Sequence, residues 1–233
     1  MIKRYQDLRR FYGVNSAVIP ATRSDEPGWQ KRNQVANQLA AAGDVELAFI
    51  GDSITQGWED DGRSVWQQFY AQRKPINLGF GGDRTEHVIW RLTHGQLANI
   101  RPKVAVVMIG TNNTGFERDR VTLRNTVPEI IEGVTATVQG LRTKLPTAKV
   151  LLLAVFPRGE KDSASRAQVA AVNEGIARLH DGAKVHYLDI GQKFLYPDGT
   201  LPTDFMPDLL HPNEVGYAIW AAALKAPLAE LLK

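Results

Sequence analysis

Ser53, Asp208 and His211 are the residue types of an activated nucleophile, and their spacing invites that reading. Ser53 stands in Phe49-Ile50-Gly51-Asp52-Ser53-Ile54-Thr55-Gln56-Gly57-Trp58. A mostly apolar run over residues 45–50 stops at Gly-Asp-Ser. That places a hydroxyl at the carboxyl end of a buried strand, where open α/β sheets bind ligands. A lone serine there is most often turn chemistry and nothing more. Far downstream, Asp208-Leu209-Leu210-His211-Pro212 sets a carboxylate and an imidazole three residues apart, just before the last helical pattern. One turn of chain lets the carboxylate reach Nδ1 and leaves Nε2 free for a serine. The bland alternative makes Asp208 a helix cap and His211 a surface residue.

Two further segments carry polar groups at strand ends. Gly79-Phe80-Gly81-Gly82-Asp83 follows a strand and opens a helix, so its backbone N–H groups suit negative charge. It fits a phosphate site, an oxyanion hole or a plain tight turn. The lysine and serine of a P-loop are missing, which disfavours phosphate. Gly110-Thr111-Asn112-Asn113 follows the most apolar strand. An asparagine amide there donates to an oxyanion without carrying charge, or merely closes an Asx-turn. His87, His94, His180 and His186 form no ligand cluster and read as structural or surface residues, so no metal is expected.

These groups need a scaffold. Apolar runs at 45–50, 76–78, 104–109, 150–155 and 185–190 read as buried parallel strands. Helical patterns lie between them. Residues 83–92 open with Asp83-x-x-Glu86 as a capping box and stop near Gly95. Val127, Ile130, Ile131, Val134, Val138 and Leu141 share one helical face, with Thr126-x-x-Glu129 as its cap or Pro128 as a bend in a longer helix. Val169, Val172, Ile176 and Leu179 make another stripe, ended by Gly182, and residues 213–232 form a last helix interrupted at Pro227. The expected fold class is α/β, a three-layer sandwich around a five-stranded, mainly parallel, doubly wound sheet. Right-handed crossovers bring the loops after the strands to one edge, including Phe156-Pro157-Arg158. Residues 1–43 read as an N-terminal extension whose helix, 29–42, packs on the domain formed by residues 44–233.

Composition excludes some functions. The chain has 233 residues, no cysteine and a net charge of +3. That removes disulfides, thiolate metal sites and a cysteine nucleophile. Basic residues are scattered without interleaved aromatics, which argues against nucleic acid. No stretch is long and apolar enough to span a membrane. Residues 1–10 are basic with no apolar core behind them, which leads to the expectation of a cytoplasmic protein, or an exported one if a leader has been removed. A homodimer is compatible with all of this.

Four blocks now stand in order: Gly51-Asp52-Ser53, Gly82 within its glycine loop, Gly110-Thr111-Asn112-Asn113 and Asp208-Leu209-Leu210-His211. Together they resemble the SGNH hydrolases, also called the GDSL esterase/lipase family, over about residues 44–233. The stretches Gly81-Gly82-Asp83-Arg84-Thr85-Glu86-His87-Val88-Ile89-Trp90-Arg91-Leu92, Ile100-Arg101-Pro102-Lys103, Phe156-Pro157-Arg158-Gly159 and Tyr196-Pro197-Asp198-Gly199-Thr200 are most similar to one branch, the catalytic subunits of intracellular platelet-activating factor acetylhydrolase. Asn113 replaces the aspartate of many members, as it does in that branch. The resemblance implies a carboxylic ester hydrolase with a Ser53–His211–Asp208 triad and no cofactor. The oxyanion hole would comprise the Ser53 and Gly82 N–H groups and the Asn112 side chain. Ile54, Thr111 and Leu210 adjoin these residues and would crowd the acyl pocket, as crowding in the acetylhydrolase branch goes with acetyl-sized groups. The expected substrate is a small-molecule ester of short, acetyl type, with carbohydrate acetates first. A lysophospholipase or thioesterase, an acyltransferase and a non-catalytic binding module are the alternatives.

Overall fold

The computed structural model describes residues 13–117 and 119–233. Residues 1–12, which include the segment read as lacking a secretory signal, lie outside the described residues. Five strands form: β1 Leu47–Gly51, β2 Pro75–Gly79, β3 Val104–Met108, β4 Lys149–Leu153 and β5 Val185–Leu188. Their order is β2-β1-β3-β4-β5, and every pairing is parallel. The helices are α1 Pro27–Ala41, α2 Ser53–Gln56, α3 Arg63–Tyr70, α4 Thr85–Thr93, α5 Val127–Lys144, α6 Ala164–Ile176 and α7 Glu214–Leu231.

Strand alternation divides the core into two layers. Ala48, Ile50, Leu78, Val107 and Leu152 face one side, where α1, α4, α5 and α6 bring Trp29, Val88, Val134, Val138 and Val172. Leu47, Phe49, Val106 and Leu151 face the other, against Trp58, Tyr70, Tyr217, Trp220 and Leu224 of the α2–α3 region and α7. The result is the doubly wound, three-layer sandwich expected from the alternating runs. Because β1 neighbours both β2 and β3, the chain reverses its winding direction there. That reversal opens a crevice beyond the carboxyl ends of β1 and β3.

Two local expectations change in the folded chain, and one open choice is decided. Helix α4 is capped at Arg84, whose N–H donates to His87 Nδ1 at 2.9 Å, and not by Asp83 and Glu86. Both of those carboxylates are taken up by buried contacts, Asp83 with Arg91 eight residues on and with Trp29, and Glu86 with Asn113. Helix α5 does take the Thr126–Glu129 box, with Pro128 in its first turn, where a missing N–H costs nothing. Helix α7 runs on through Pro227 without a break. Burial of Leu224, Leu228 and Leu231 around it offsets the roughly 3 kcal/mol that an interior proline costs.

Candidate active site

Ser53 begins α2 on a sharp strand-to-helix turn. Asp52 caps it by accepting from the Ile54 N–H at 3.0 Å. Gly51 makes the turn passable, because a side chain there would strike Thr55 Oγ1 and the Met108 carbonyl. The turn is held from both flanks. Tyr217 Oη donates to the Ile54 carbonyl at 2.7 Å, and Asn77 Nδ2 donates to the Thr55 carbonyl at 3.0 Å. As the first helical residue, Ser53 has no intrahelical acceptor for its own N–H.

The loop before α7 brings the imidazole to this hydroxyl. Ser53 Oγ lies 2.9 Å from His211 Nε2, and His211 Nδ1 lies 2.6 Å from Asp208 Oδ2. The other carboxylate oxygen of Asp208 accepts from the Leu210 and His211 N–H groups at 3.0 and 2.7 Å. This folds residues 208–211 into a closed turn, with Leu209 at φ +58°. The helix cap is Asn213, which bonds the Gly216 N–H, so Asp208 is left for the imidazole. Burial pushes the Asp208 carboxyl up, but the two His211 hydrogen bonds outweigh it and hold it below its ordinary value.

Beyond β2, Gly82 adopts φ +74°, the left-handed region. The Gly81 N–H donates to Gln56 Oε1 at 2.6 Å and the Asp83 N–H to the Phe80 carbonyl at 3.0 Å. Among the described residues the Gly82 N–H between them has no acceptor, and Gly82 is exposed. Beyond β3, Asn112 Nδ2 donates one hydrogen to the Asp83 carbonyl at 3.0 Å and keeps the other. Asn112 and the Gly82 loop are therefore joined through one residue. Asp83 itself is fully buried, its carboxylate bonded to Arg91 Nε at 2.8 Å and Trp29 Nε1 at 2.8 Å. Arg91 continues to the Leu78 and Gly51 carbonyls at 3.2 and 3.3 Å and to Gln96. Burial pushes the Asp52 carboxyl up to about 7, with the Asp83 charge adding to the rise and the Ile54 N–H, His211 and Arg158 opposing it.

Of the residues proposed to crowd the acyl group, Ile54 is 1% and Thr111 2% exposed, while Leu210 is half-buried beside His211. Ile54 lies within the core with Trp58, and Thr111 accepts from Arg158, so Leu210 is the one with open surface. Asn113 is buried away from the serine, bonded to Thr85, Glu86 and Asn125. His87 is a structural acceptor, its imidazole driven down to about 3 by burial and by the charges of Arg23, Arg84 and Arg91. Two cavities, of about 420 and 410 Å³, are lined by other residues than Ser53, Asp208 and His211.

Several residues around the site escaped the sequence reading. Arg91 had a signal, a charge between Val88 and Leu92 on the apolar face of a helical pattern. Arg158, which bonds the Thr111 carbonyl at 2.9 Å, had only its place after a strand. Arg23 and Trp29 had none, because they lie some 60 and 54 positions from Asp83.

Among the described residues no helix is long and apolar enough to cross a membrane. The family model of the GDSL-like lipase/acylhydrolase family matches residues 49–219. The chain is 34% identical over 223 residues to the platelet-activating factor acetylhydrolase IB subunit alpha2 of Rattus norvegicus, covering 94% of this chain and 93% of that one. Among solved structures, a GDSL-like lipase from Bacteroides thetaiotaomicron superposes with a TM-score of 0.69 at 19% identity, over 86% of this chain and 97% of its own. The acetyl xylan esterase AlAXEase superposes with a TM-score of 0.67 at 21% identity, over 79% and 100%. The strand-end serine, the order of the blocks and these likenesses agree: the chain belongs to the GDSL-like lipase/acylhydrolase family and is a carboxylic ester hydrolase.

Proposed function

We propose that Ser53 is the nucleophile of a short-acyl esterase, with His211 as general base and acid and Asp208 as the orienting carboxylate. The observation that carries this is the unbroken relay from Ser53 Oγ through Nε2 and Nδ1 to Asp208 Oδ2, at 2.9 and 2.6 Å. With Nδ1–H donating to Asp208 Oδ2, Nε2 is the unprotonated nitrogen facing the hydroxyl. Oγ attacks the ester carbonyl carbon as its proton moves to Nε2. The carbonyl oxygen becomes an oxyanion within reach of the N–H groups of Ser53 and Gly82 and the spare Asn112 N–H, each worth roughly 3 kcal/mol if well aimed. Collapse expels the alkoxide, which takes the Nε2 proton, and leaves an acyl-Ser53 ester. Water then repeats the steps and releases the acid.

The acyl group is acetyl-sized in this reading, because the residues adjoining the catalytic groups, half-buried Leu210 and buried Ile54 and Thr111, are bulky and none is glycine. A packed wall rejects added methylenes through strain. Carbohydrate acetates are our first choice for the alcohol side. The likeness to an acetyl xylan esterase supports that choice, as the relatives named acetylhydrolase support the acyl size. The test is a series of p-nitrophenyl esters of rising chain length beside acetylated sugars, with Ser53→Ala as control. Acetate to butyrate esters should turn over best, and Leu210→Ala should move the optimum to longer chains. An optimum at about eight carbons or more would overturn the crowded pocket. Wild-type turnover by Ser53→Ala would overturn the mechanism.

A further inference from the structure

The N-terminal segment reaches the glycine loop with one guanidinium. Arg23 Nη1 donates to the Gly81 carbonyl at 2.5 Å and to Asp83 Oδ1 at 3.3 Å. Its Nε bonds Glu26 Oε1 at 3.0 Å, and its Nη2 pairs with the same carboxylate. Where Gly82 lacks a side chain, Nη1 and Nη2 stand 2.9 and 3.0 Å from the position a Cβ would take. The side chain is 18% exposed and so largely packed against the loop.

The bond to Gly81 matters because of which peptide it touches. The carbonyl of residue 81 and the N–H of residue 82 belong to one resonance-coupled amide. A cation on the oxygen draws electron density from the nitrogen, which makes the N–H a stronger donor. Among the described residues that N–H is the one in the loop left without an acceptor, while its neighbours on Gly81 and Asp83 are bonded. We propose that Arg23 is a positioning residue of the oxyanion site, polarising and orienting the Gly81–Gly82 peptide so that the Gly82 N–H faces the developing negative charge. This rests on the reading of Gly82 as an oxyanion donor. It gives the segment before β1 a part in the chemistry: Arg32 donates to the Gly79 carbonyl and Trp29 to Asp83, so three residues of that segment brace one loop.

The experiment uses the full chain and p-nitrophenyl acetate. Arg23→Met should lower kcat by about 10-fold, less than the loss of a whole oxyanion donor, with KM within about twofold of wild type. Affinity for an arylboronic acid, which forms a tetrahedral anion on the serine, should fall by the same factor as kcat. Arg23→Lys retains a cationic donor and should recover part of the loss. In the ¹H–¹⁵N spectrum the Gly82 amide proton should move upfield in Arg23→Lys while the Ser53 amide stays in place, a readout that stands even if Arg23→Met does not fold. A kcat within about twofold of wild type for Arg23→Met, or a raised KM at constant kcat, overturns the proposal. So does an unmoved Gly82 amide. Ser53→Ala runs in parallel: if it is inactive while Arg23→Met is not impaired, only this inference falls, whereas an active Ser53→Ala removes the oxyanion reading and this inference with it.

Discussion

The acid–base side of the site and the glycine-loop side hold their groups in different ways. Asp208 and His211 sit on the surface, 55% and 41% exposed, in a turn closed by contacts within four residues. The glycine loop opposite is tied from inside the protein. Asp83 and Arg91 are both fully buried, and their partners come from the segment before β1, from β1 and β2, and from the loop beyond α4. A surface turn tolerates solvent because its own short-range hydrogen bonds hold it, with no buried partner needed. In the proposed reading the glycine loop presents one N–H at a set angle, which needs a rigid backing, and the buried Asp83–Arg91 pair supplies it. The two sides should therefore fail differently, one by losing chemistry and the other by losing structure.

The largest effect separates them most cleanly. His211→Ala should lower kcat by ~10³-fold or more, while the thermal midpoint stays close to wild type, since little buried surface is lost. Steady-state kinetics with differential scanning calorimetry would read both, and a large drop in the midpoint would break the contrast. Arg91→Met should do the reverse and cost about 3–5 kcal/mol in urea unfolding, by removing the fully buried cation beside Asp83 and leaving only Arg23 and Trp29 on that carboxyl. Adding Asp83→Asn should restore part of that loss, and simple additivity would mean that the pair does not act as a unit.

A smaller effect concerns pH. The Asp52 carboxyl is raised to about 7 when folded, against an unfolded value of about 3.9. The folded state thus holds a proton through that window, and Asp52 makes the protein less stable as pH rises through it. Asp52→Asn keeps an acceptor for the Ile54 N–H and should flatten the decline of the thermal midpoint between about pH 4 and pH 7. An unchanged slope would place the titration elsewhere. The smallest effect is on the surface turn. Leu209→Gly relieves a left-handed conformation but loosens the unfolded chain and loses some packing, so stability should change by less than about 1 kcal/mol and activity should persist. Loss of activity would mean that the turn depends on the Leu209 side chain after all.

Much of this was legible from residue order. Five apolar runs gave the strands to within a few residues, since a strand buried on both faces has no room for polar side chains. The Thr126–Glu129 cap was legible because its partners lie three residues apart. Asp83 and Glu86 have the same spacing and were misread as a cap, because each finds a buried partner from elsewhere in the chain, Trp29 for Asp83 and Asn113 for Glu86. Pro227 was misread as a break for a similar reason: the packing of Leu224 and Leu228 on the sheet is not visible in a local window.

The sequence alone determined the groups available for chemistry and those contacts that close within a few residues. Ser53 at a strand end and the Asp208–His211 pair are of this kind, since chain connectivity already holds their partners close. Tertiary structure decided that Ser53 and His211, 158 positions apart, meet at 2.9 Å, and that Arg23, Trp29 and Arg91 converge on Asp83 behind the glycine loop. Local hydrogen bonds need little chain entropy to form, so residue types and spacing suffice to read them. Contacts across the chain exist only once the sheet order β2-β1-β3-β4-β5 has brought the loop ends to one edge, and that order is settled by the packing of two apolar layers.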